Sequence, residues 1–397
     1  MSKNSSLQKY IPMSRADVRE AMLSDRTTTP DIEKGLRKVC TMMEAIWHHR
    51  MHHDLETLKS AYAPIDPDLG DDVDLSTTDS FLDRFDSVVR AGNWEEVTQK
   101  EIDFALNGED IFPISLRVRF EEFVECRLYK LGESRSVKNK KTWFGLVKSE
   151  VEVDVYDRII QVLQFRDRSW FASQKKLKHW PGEHSNGMHI RLFKSVPKRD
   201  LEVVFPNTSP QMRFLDRVKV VAPLLGGMVA VVMKFGPLLL GNSPGQTSNA
   251  VIGGILSAVG TYALKSYFSY RKTKEKYLQQ VSKDLYFKGL ANDEAVLSAV
   301  IDLAEEQEVK EAMLAYWAMV LEGPGHFTPE TLDDRIEQWL AGHGVEVDFE
   351  VDDAIKKLRG LGLVEGGDSN ARVLTAVPIN VALQKMDEYW DGIFEYA

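Results

Sequence analysis

Four histidines stand within six residues in "HHRMHH": His48, His49, His52 and His53. On a helix, spacing by four puts His48 and His52 on one face and His49 and His53 on the next. Two imidazoles so placed are half of a metal site, and a third ligand would have to come from elsewhere in the fold. A metalloprotease helix carries glutamate directly after its first histidine; here His49 or Arg50 stands there. A solvated, weakly basic helix face is the expectation, with no metal and no cofactor. "AEEQEVKE" spaces Glu305, Glu308 and Glu311 by three. It lacks the histidine that a di-iron helix sets beside its glutamate, so an exposed acidic face is expected. "GNSPGQTS" has Gln246 where a phosphate-binding loop needs lysine. No nucleophile–base pair stands out, and no enzymatic activity is expected.

The elements that position these groups follow from the whole chain. Its 397 residues suffice for two or three domains. A formal charge of −10 argues against broad electrostatic binding to nucleic acid, which is not an expected partner. Cys40 and Cys126 form no disulfide framework or zinc motif and suit a reducing compartment. "MSKNSSLQKYIPMSRADVREAM" has no apolar core, so no cleaved secretory signal is expected.

The expected fold class is α+β. Residues 1–110 read as an N-terminal helical region: Thr29 and Pro30 open a long helix, and two shorter ones break near Gly92. Residues 111–206 read as a small antiparallel sheet. "FPISLRVRF", "VEVDVYDRIIQVLQF" and "GMHIRLFKSV" alternate as strands, and "ESRSVKNKKTWFG" is a basic linker. Ser209 and Pro210 suit the start of a helix. Residues 271–325 form a helical domain broken near Gly289. Residues 326–397 read helix, helix, short hairpin, helix, a winged-helix-like module. Its "DDAIKKLRGLG" would be the recognition helix, carrying Lys356, Lys357 and Arg359 among acidic neighbours.

Residues 207–270 are expected to form a transmembrane helical hairpin, with spans about 218–240 and 249–268. Alone, "VVAPLLGGMVAVVMKFGPLLL" fits a buried core helix as well as a span. A second uncharged run, Ala250–Leu264, and an uncharged loop between the two favour the hairpin. Arg213, Arg217 and Lys219 before it, and Lys265, Arg271 and Lys272 after it, would face headgroups, the positive-inside pattern. Lys234 is the intramembrane candidate, snorkelling to the far interface or lining a channel between copies.

"IRLFKSVPKRDLEVVFPNTSPQMRFLDRVKVVAPLLGG" and "YLQQVSKDLYFKGLANDEAVLSAVIDLAEEQEVKEAMLAYWAMVL" resemble the transmembrane protein 143-like family, a domain of unknown function (3754). The likeness runs in order from about Val151 to Leu321. It implies membrane association with two spans and no established catalytic residue. The matching Phe193, Pro197, Asp200, Pro206 and Asp216 would have structural roles, aiming the first span out of the sheet region.

The expected protein is thus an integral membrane protein with both termini cytoplasmic, in an inner membrane if bacterial or a mitochondrial membrane if eukaryotic. Its expected partners are the lipid bilayer and further copies of itself. A membrane-anchored interaction or scaffold role leads. Two alternatives stay open: an oligomeric channel-like assembly of hairpins, and a membrane-tethered nucleic-acid sensor using the C-terminal module.

Overall fold

The computed structural model describes residues 7–25, 28–107, 114–142, 147–212, 285–366 and 373–393, with helical residues between 257 and 283. The chain divides into two compact units. One comprises 1–97, 122–196 and 290–397; the other comprises 98–121 and 197–289.

In the first unit, Thr29 and Pro30 open helix α2 (Pro30–Tyr62), which follows the short α1 (Arg15–Leu23). Pro30 costs nothing at the first helical position, where its missing N–H has no acceptor anyway. Leu36, Val39, Cys40, Met43, Ile46 and Trp47 give α2 a buried stripe. Helix α3 (Thr78–Ala91) stops at Gly92 and leads to a two-residue strand, β1 (Glu95–Glu96). Strands β3 (Phe123–Thr142) and β4 (Val147–Phe165) pair antiparallel from Phe123↔Phe165 out to Thr142↔Val147. With β5 (Met188–Pro197) and β7 (Gly289–Asn292) they make a five-stranded sheet in the order β1-β3-β4-β5-β7.

Helix α6 (Glu294–Glu322) carries the unit; α4 (Gln99–Asn107), which belongs to the second unit, and α5 (Arg168–Ser173) are short. Its first turns, Val296, Leu297 and Val300, join the sheet core with Phe81, Phe85, Ile160 and Ile190. Its later turns, Val309, Met313, Tyr316 and Trp317, join a helical core. That core includes α7 (Pro329–Gly342), α8 (Val351–Gly360), the β8–β9 hairpin (Val364–Gly366, Leu374–Ala376) and α9 (Ile379–Gly392). Thr328 caps α7 through a capping box with Thr331.

Asp293 ties the start of α6 to the sheet. Its φ is +51°, its N–H donates to the Ile190 carbonyl at 2.6 Å, and its carboxylate accepts from the Ile190 N–H at 3.1 Å. The Tyr62 hydroxyl, at the end of α2, donates to the Met188 carbonyl at 2.8 Å. Burial, and then the nearby Asp293 carboxylate, holds that phenol well above its ordinary value.

The second unit contains α4 (Gln99–Asn107), β2 (Ile114–Arg117) paired antiparallel with β6 (Ser209–Met212), and a 3-10 turn over Lys198–Val204. Phe120 and Phe205 meet edge to face, with ring centres 5.3 Å apart. Asn207 holds the turn before β6 by donating to the Arg119 carbonyl at 2.7 Å.

The α+β class is present and each expected segment contains a strand, but β2 pairs with β6 in a sheet of its own rather than joining β4 and β5, and four further expectations change. Ser209 and Pro210 open strand β6 rather than a helix; Pro210 sits opposite Leu116 in a two-stranded pair, where a free edge tolerates its missing N–H. Residues 133–142 of the basic linker are the outer part of β3, paired residue for residue with β4; 143–145 lie outside the described residues. The break near Gly289 is strand β7. Finally, no helix among the described residues is long and apolar enough to cross a membrane. This overturns the transmembrane hairpin and the integral-membrane location, and with them the membrane-anchored, channel-like and membrane-tethered functions. The first expected span, 218–240, lies outside the described residues. Parts of the second from Ser257 on are described, as exposed helical positions including Leu264, Tyr267 and Phe268. The longest apolar helix is α6, but Glu305, Glu308, Lys310 and Glu311 on it would be costly in lipid, and protein buries them instead.

Gly187 offers a stability test. Its φ is +89°, and an added Cβ would lie 2.7 Å from the Ile65 carbonyl oxygen and 2.9 Å from Pro67. Gly182, at φ +101°, would meet nothing within 4 Å. Gly187→Ala is expected to cost about 2 kcal/mol more than Gly182→Ala in urea unfolding, because only the former adds overpacking to backbone strain. Equal losses would show that the Ile65–Pro67 turn yields freely.

Candidate functional site

Helix α6 is covered over most of its circumference, so Glu305, Glu308, Lys310 and Glu311 have no solvated face to use. Glu305, Glu308, Lys310 and Glu311 are all buried. This corrects the expected exposed acidic face. A buried carboxylate must find a cation or donors to replace its water, and each does.

Glu305 accepts from Arg15 at 2.9 Å and meets His48 Nδ1 at 3.0 Å. Glu308 accepts from the Trp47 indole N–H at 3.2 Å and pairs with Lys357 at 3.1 Å. Glu311, only 1 % exposed, accepts from Asn93 at 2.6 Å and pairs with Lys357 at 2.6 Å. The Lys357 ammonium also reaches Asp353, one turn back on α8, at 2.7 Å. Lys310 donates to the carbonyls of Ile11 at 2.8 Å and Met13 at 2.9 Å, clamping the segment before α1. Gln307 is wholly buried beside these groups, and its amide has no partner among the described residues.

The electrostatics follow from this packing. Burial pushes the Glu311 carboxyl up to about 7, against the pull of Lys357. It also raises Glu308. Burial alone would lower Lys357, but Glu311, Glu308 and Asp353 hold it above the ordinary lysine value. Desolvation drops Lys310 to about 8 despite Glu306. Three carboxylates share one ammonium, and a proton on Glu311 relieves the excess negative charge as pH falls. With the Lys357 side chain 9 % exposed, the cluster has no room for a substrate. Chemically it fastens helices together.

The histidines do not converge. His48 turns to Glu305 yet stays 73 % exposed. His49 stacks edge-on against Trp390 at 5.9 Å. His52 is exposed, and His53 lines a groove of about 500 Å³ with Glu56, Ser60, Ser80 and Arg84. There the Ser60 hydroxyl donates to the Glu56 carbonyl at 2.8 Å, so it is not poised against a base. No group of three or more His, Cys, Asp or Glu among the described residues is placed to hold a metal. Burial pushes the Cys40 and Cys126 thiols up to about 12, far from thiolate reactivity.

Of the remaining singled-out residues, Phe193 and Pro197 are buried on β5, Asp200 is buried in the 3-10 turn, and Pro206 is exposed at the turn before β6. Lys265, Arg271 and Lys272 are exposed helical residues, and Arg271 pairs with Glu275 at 3.3 Å. Arg213, Asp216, Arg217, Lys219 and Lys234 lie outside the described residues. A larger open groove, about 720 Å³, runs between α2 and α9, with Lys34, Arg37 and Lys38 on its rim and Met42 and Leu383 on its floor. Sequence reasoning missed this groove and placed Lys357 on a recognition surface rather than in the buried cluster. The signal for Lys357 was available: charges inside an all-round apolar helix require a buried cation.

Two predictions follow from the cluster. Lys357→Met strands Glu308 and Glu311 and is expected to cost about 3–5 kcal/mol of unfolding free energy. Adding Glu308→Gln and Glu311→Gln should restore most of it, since neutral groups need no cation; a triple variant as weak as the single would refute the pairing. The second concerns pH. Glu311 is raised from 4.5 to about 7, so the folded chain keeps a proton that the unfolded chain has lost. That contribution to stability is complete below about 4.5 and is lost as pH rises through about 7. Wild type should therefore lose up to about 3 kcal/mol relative to Glu311→Gln between those limits, read by urea titration at several pH values. Parallel curves would place the titration elsewhere.

No solved structure matches the chain. The stretch from β4 to the first residues of α6, residues 156–295, matches the family model described as "Protein of unknown function (DUF3754)".

Proposed function

We propose that this chain is a non-catalytic interaction protein. Its C-terminal helix–helix–hairpin–helix acts as a winged-helix-like module that packs on α6 and offers its outer surface to a polypeptide partner. One observation carries the reading: Lys357, central on the helix that would read a nucleic-acid groove, is spent inside the chain on Glu308, Glu311 and Asp353. Arg359 on the same helix donates to the Gly366 carbonyl of the β8–β9 hairpin. Lys356 alone remains as an exposed lysine there, on a chain of formal charge −10. Such a helix lacks the row of cations that phosphate contacts require. Glu311 and Lys310, each displaced by burial, lie in a sealed cluster rather than at a cleft, which favours binding over turnover. We assign the matched segment further to the transmembrane protein 143-like family, on the ordered likeness from Val151 to Leu321; that family brings no established catalytic residue.

Cross-linking mass spectrometry on the full chain in host extract tests this reading. Lys356 and Lys385 are expected to link to another polypeptide, and a fluorescent DNA duplex is expected to show no salt-sensitive binding to the purified chain. Links confined to this chain, or duplex binding that weakens with salt, would overturn it.

A further inference from the structure

The basic groove between α2 and α9 has a matching feature elsewhere on the chain. Lys34, Arg37 and Lys38 stand exposed on α2, one turn apart, above a floor of Met42 and Leu383, and the α9 side adds a single carboxylate among the described residues, Asp387. Glu20 and Glu33 occupy Arg37, at 3.0 and 3.2 Å. Lys34 and Lys38 have no carboxylate partner among the described residues. The site therefore asks for an acidic segment bearing an apolar side chain.

The turn "PDLGDDVDL" between α2 and α3 is such a segment. Asp68, Asp71 and Asp72 are exposed, and Leu69 and Leu75 are 44 % and 42 % exposed. Asp66 and Asp74 are already used: Asp66 accepts from the Asp68 N–H at 2.9 Å, and Asp74 from the Ser76 N–H at 3.0 Å. Those bonds, the Asp74 N–H on the Pro64 carbonyl at 2.8 Å, and the packing of Pro67 against Gly187 fix the turn in place. It is thus presented preformed, at little ordering cost on binding.

The two features cannot meet within one chain. Both are attached to α2, the groove near its start and the turn just past its end at Tyr62. From Lys38 to Tyr62 the helix rises about 36 Å at its standard pitch. We propose that the acidic turn of one copy docks in the basic groove of a second copy, so that the chain associates head to tail. Leu69 enters over Met42 and Leu383, and Asp68, Asp71 and Asp72 meet Lys34 and Lys38. Unlike patches joined in this way give a heterologous contact, which propagates unless the rotation closes a ring. One turn in one groove is a small interface, so the association is weak and salt-sensitive. The proposal rests on the interaction reading above for its class of activity, but it uses a different surface.

Sedimentation velocity on the full chain tests it. Wild type at low salt should pass twice the 45.1 kDa monomer mass as concentration rises, and return to monomer at high salt. Lys34→Glu/Lys38→Glu should remain monomeric, as should Asp71→Lys/Asp72→Lys. These positions are exposed, and circular dichroism checks the fold of each variant. Mixing the two variants recreates opposite-charge pairs in both directions and should restore association. A monomeric wild type, no rescue on mixing, or loss with the lysine pair alone would overturn the proposal; the last result would mean that a segment of the second copy other than this turn fills the groove. Links from Lys356 to other proteins that survive Lys34→Glu/Lys38→Glu would leave the broader interaction reading intact.

Discussion

Glu311 has lost its water on every side, and the ammonium of Lys357 is the strongest compensation within reach. A carboxylate moved into a protein interior costs several kcal/mol unless a cation and donors replace its hydration. That requirement reaches beyond the pair. Lys357 can stand at 2.6 Å only if α8 lies against α6 in one register. Trp47 and Asn93 can donate only if α2 and the α3–β1 turn are seated as well. Three segments distant in sequence are thereby bound to one helix by directional bonds.

Apolar contacts would not give that uniqueness. Hydrophobic burial is non-directional, and an all-round apolar helix could slide by a turn at modest cost. At the start of α6 the lock is Asp293, held in a left-handed backbone conformation by reciprocal bonds with Ile190. Strain of this kind, of order 1–3 kcal/mol, persists only where the surroundings impose it. Along the middle of α6 the lock is the carboxylate–lysine cluster. The sheet core thus fixes where the helix begins, and the cluster fixes what packs on it afterwards.

Much of this was legible where a signal is local. Thr29–Pro30 followed by apolar residues at helical spacing marks α2, and alternation in "GMHIRLFKSV" marks β5. Signals that depend on a distant partner were not legible. Residues 133–142 of β3 show no hydrophobic alternation, and only the register with β4 reveals the strand. Ser209–Pro210 reads equally as a helix start and as an edge strand until Leu116 is found opposite. His48 resembled a metal ligand because Glu305, 257 positions away, could not be seen beside it. On their own polarity the glutamates of α6 read as an exposed face. The neighbours Val296, Val300, Val309, Met313 and Trp317 carry the contrary message, that most of the circumference of this helix is covered.

The position of the cluster explains why polarity was kept there. Up to Val300 the buried side chains of α6 belong to the sheet core, and from Ile301 onward they belong to the helical core. Glu305 to Glu311 follow directly on that hand-over. A continuous greasy helix would join the two cores without specifying how they are phased along it. Charged groups that must be satisfied together remove the alternatives, because a shift of one residue turns each carboxylate by about 100° away from its donor. The same logic bears on the surface. With Lys357 and Arg359 of α8 engaged within the chain, the unspent lysines near the start of α2 and the exposed aspartates beyond its end join Lys356 among the charges open to recognition. The long helix holds those two sets of charges a fixed distance apart.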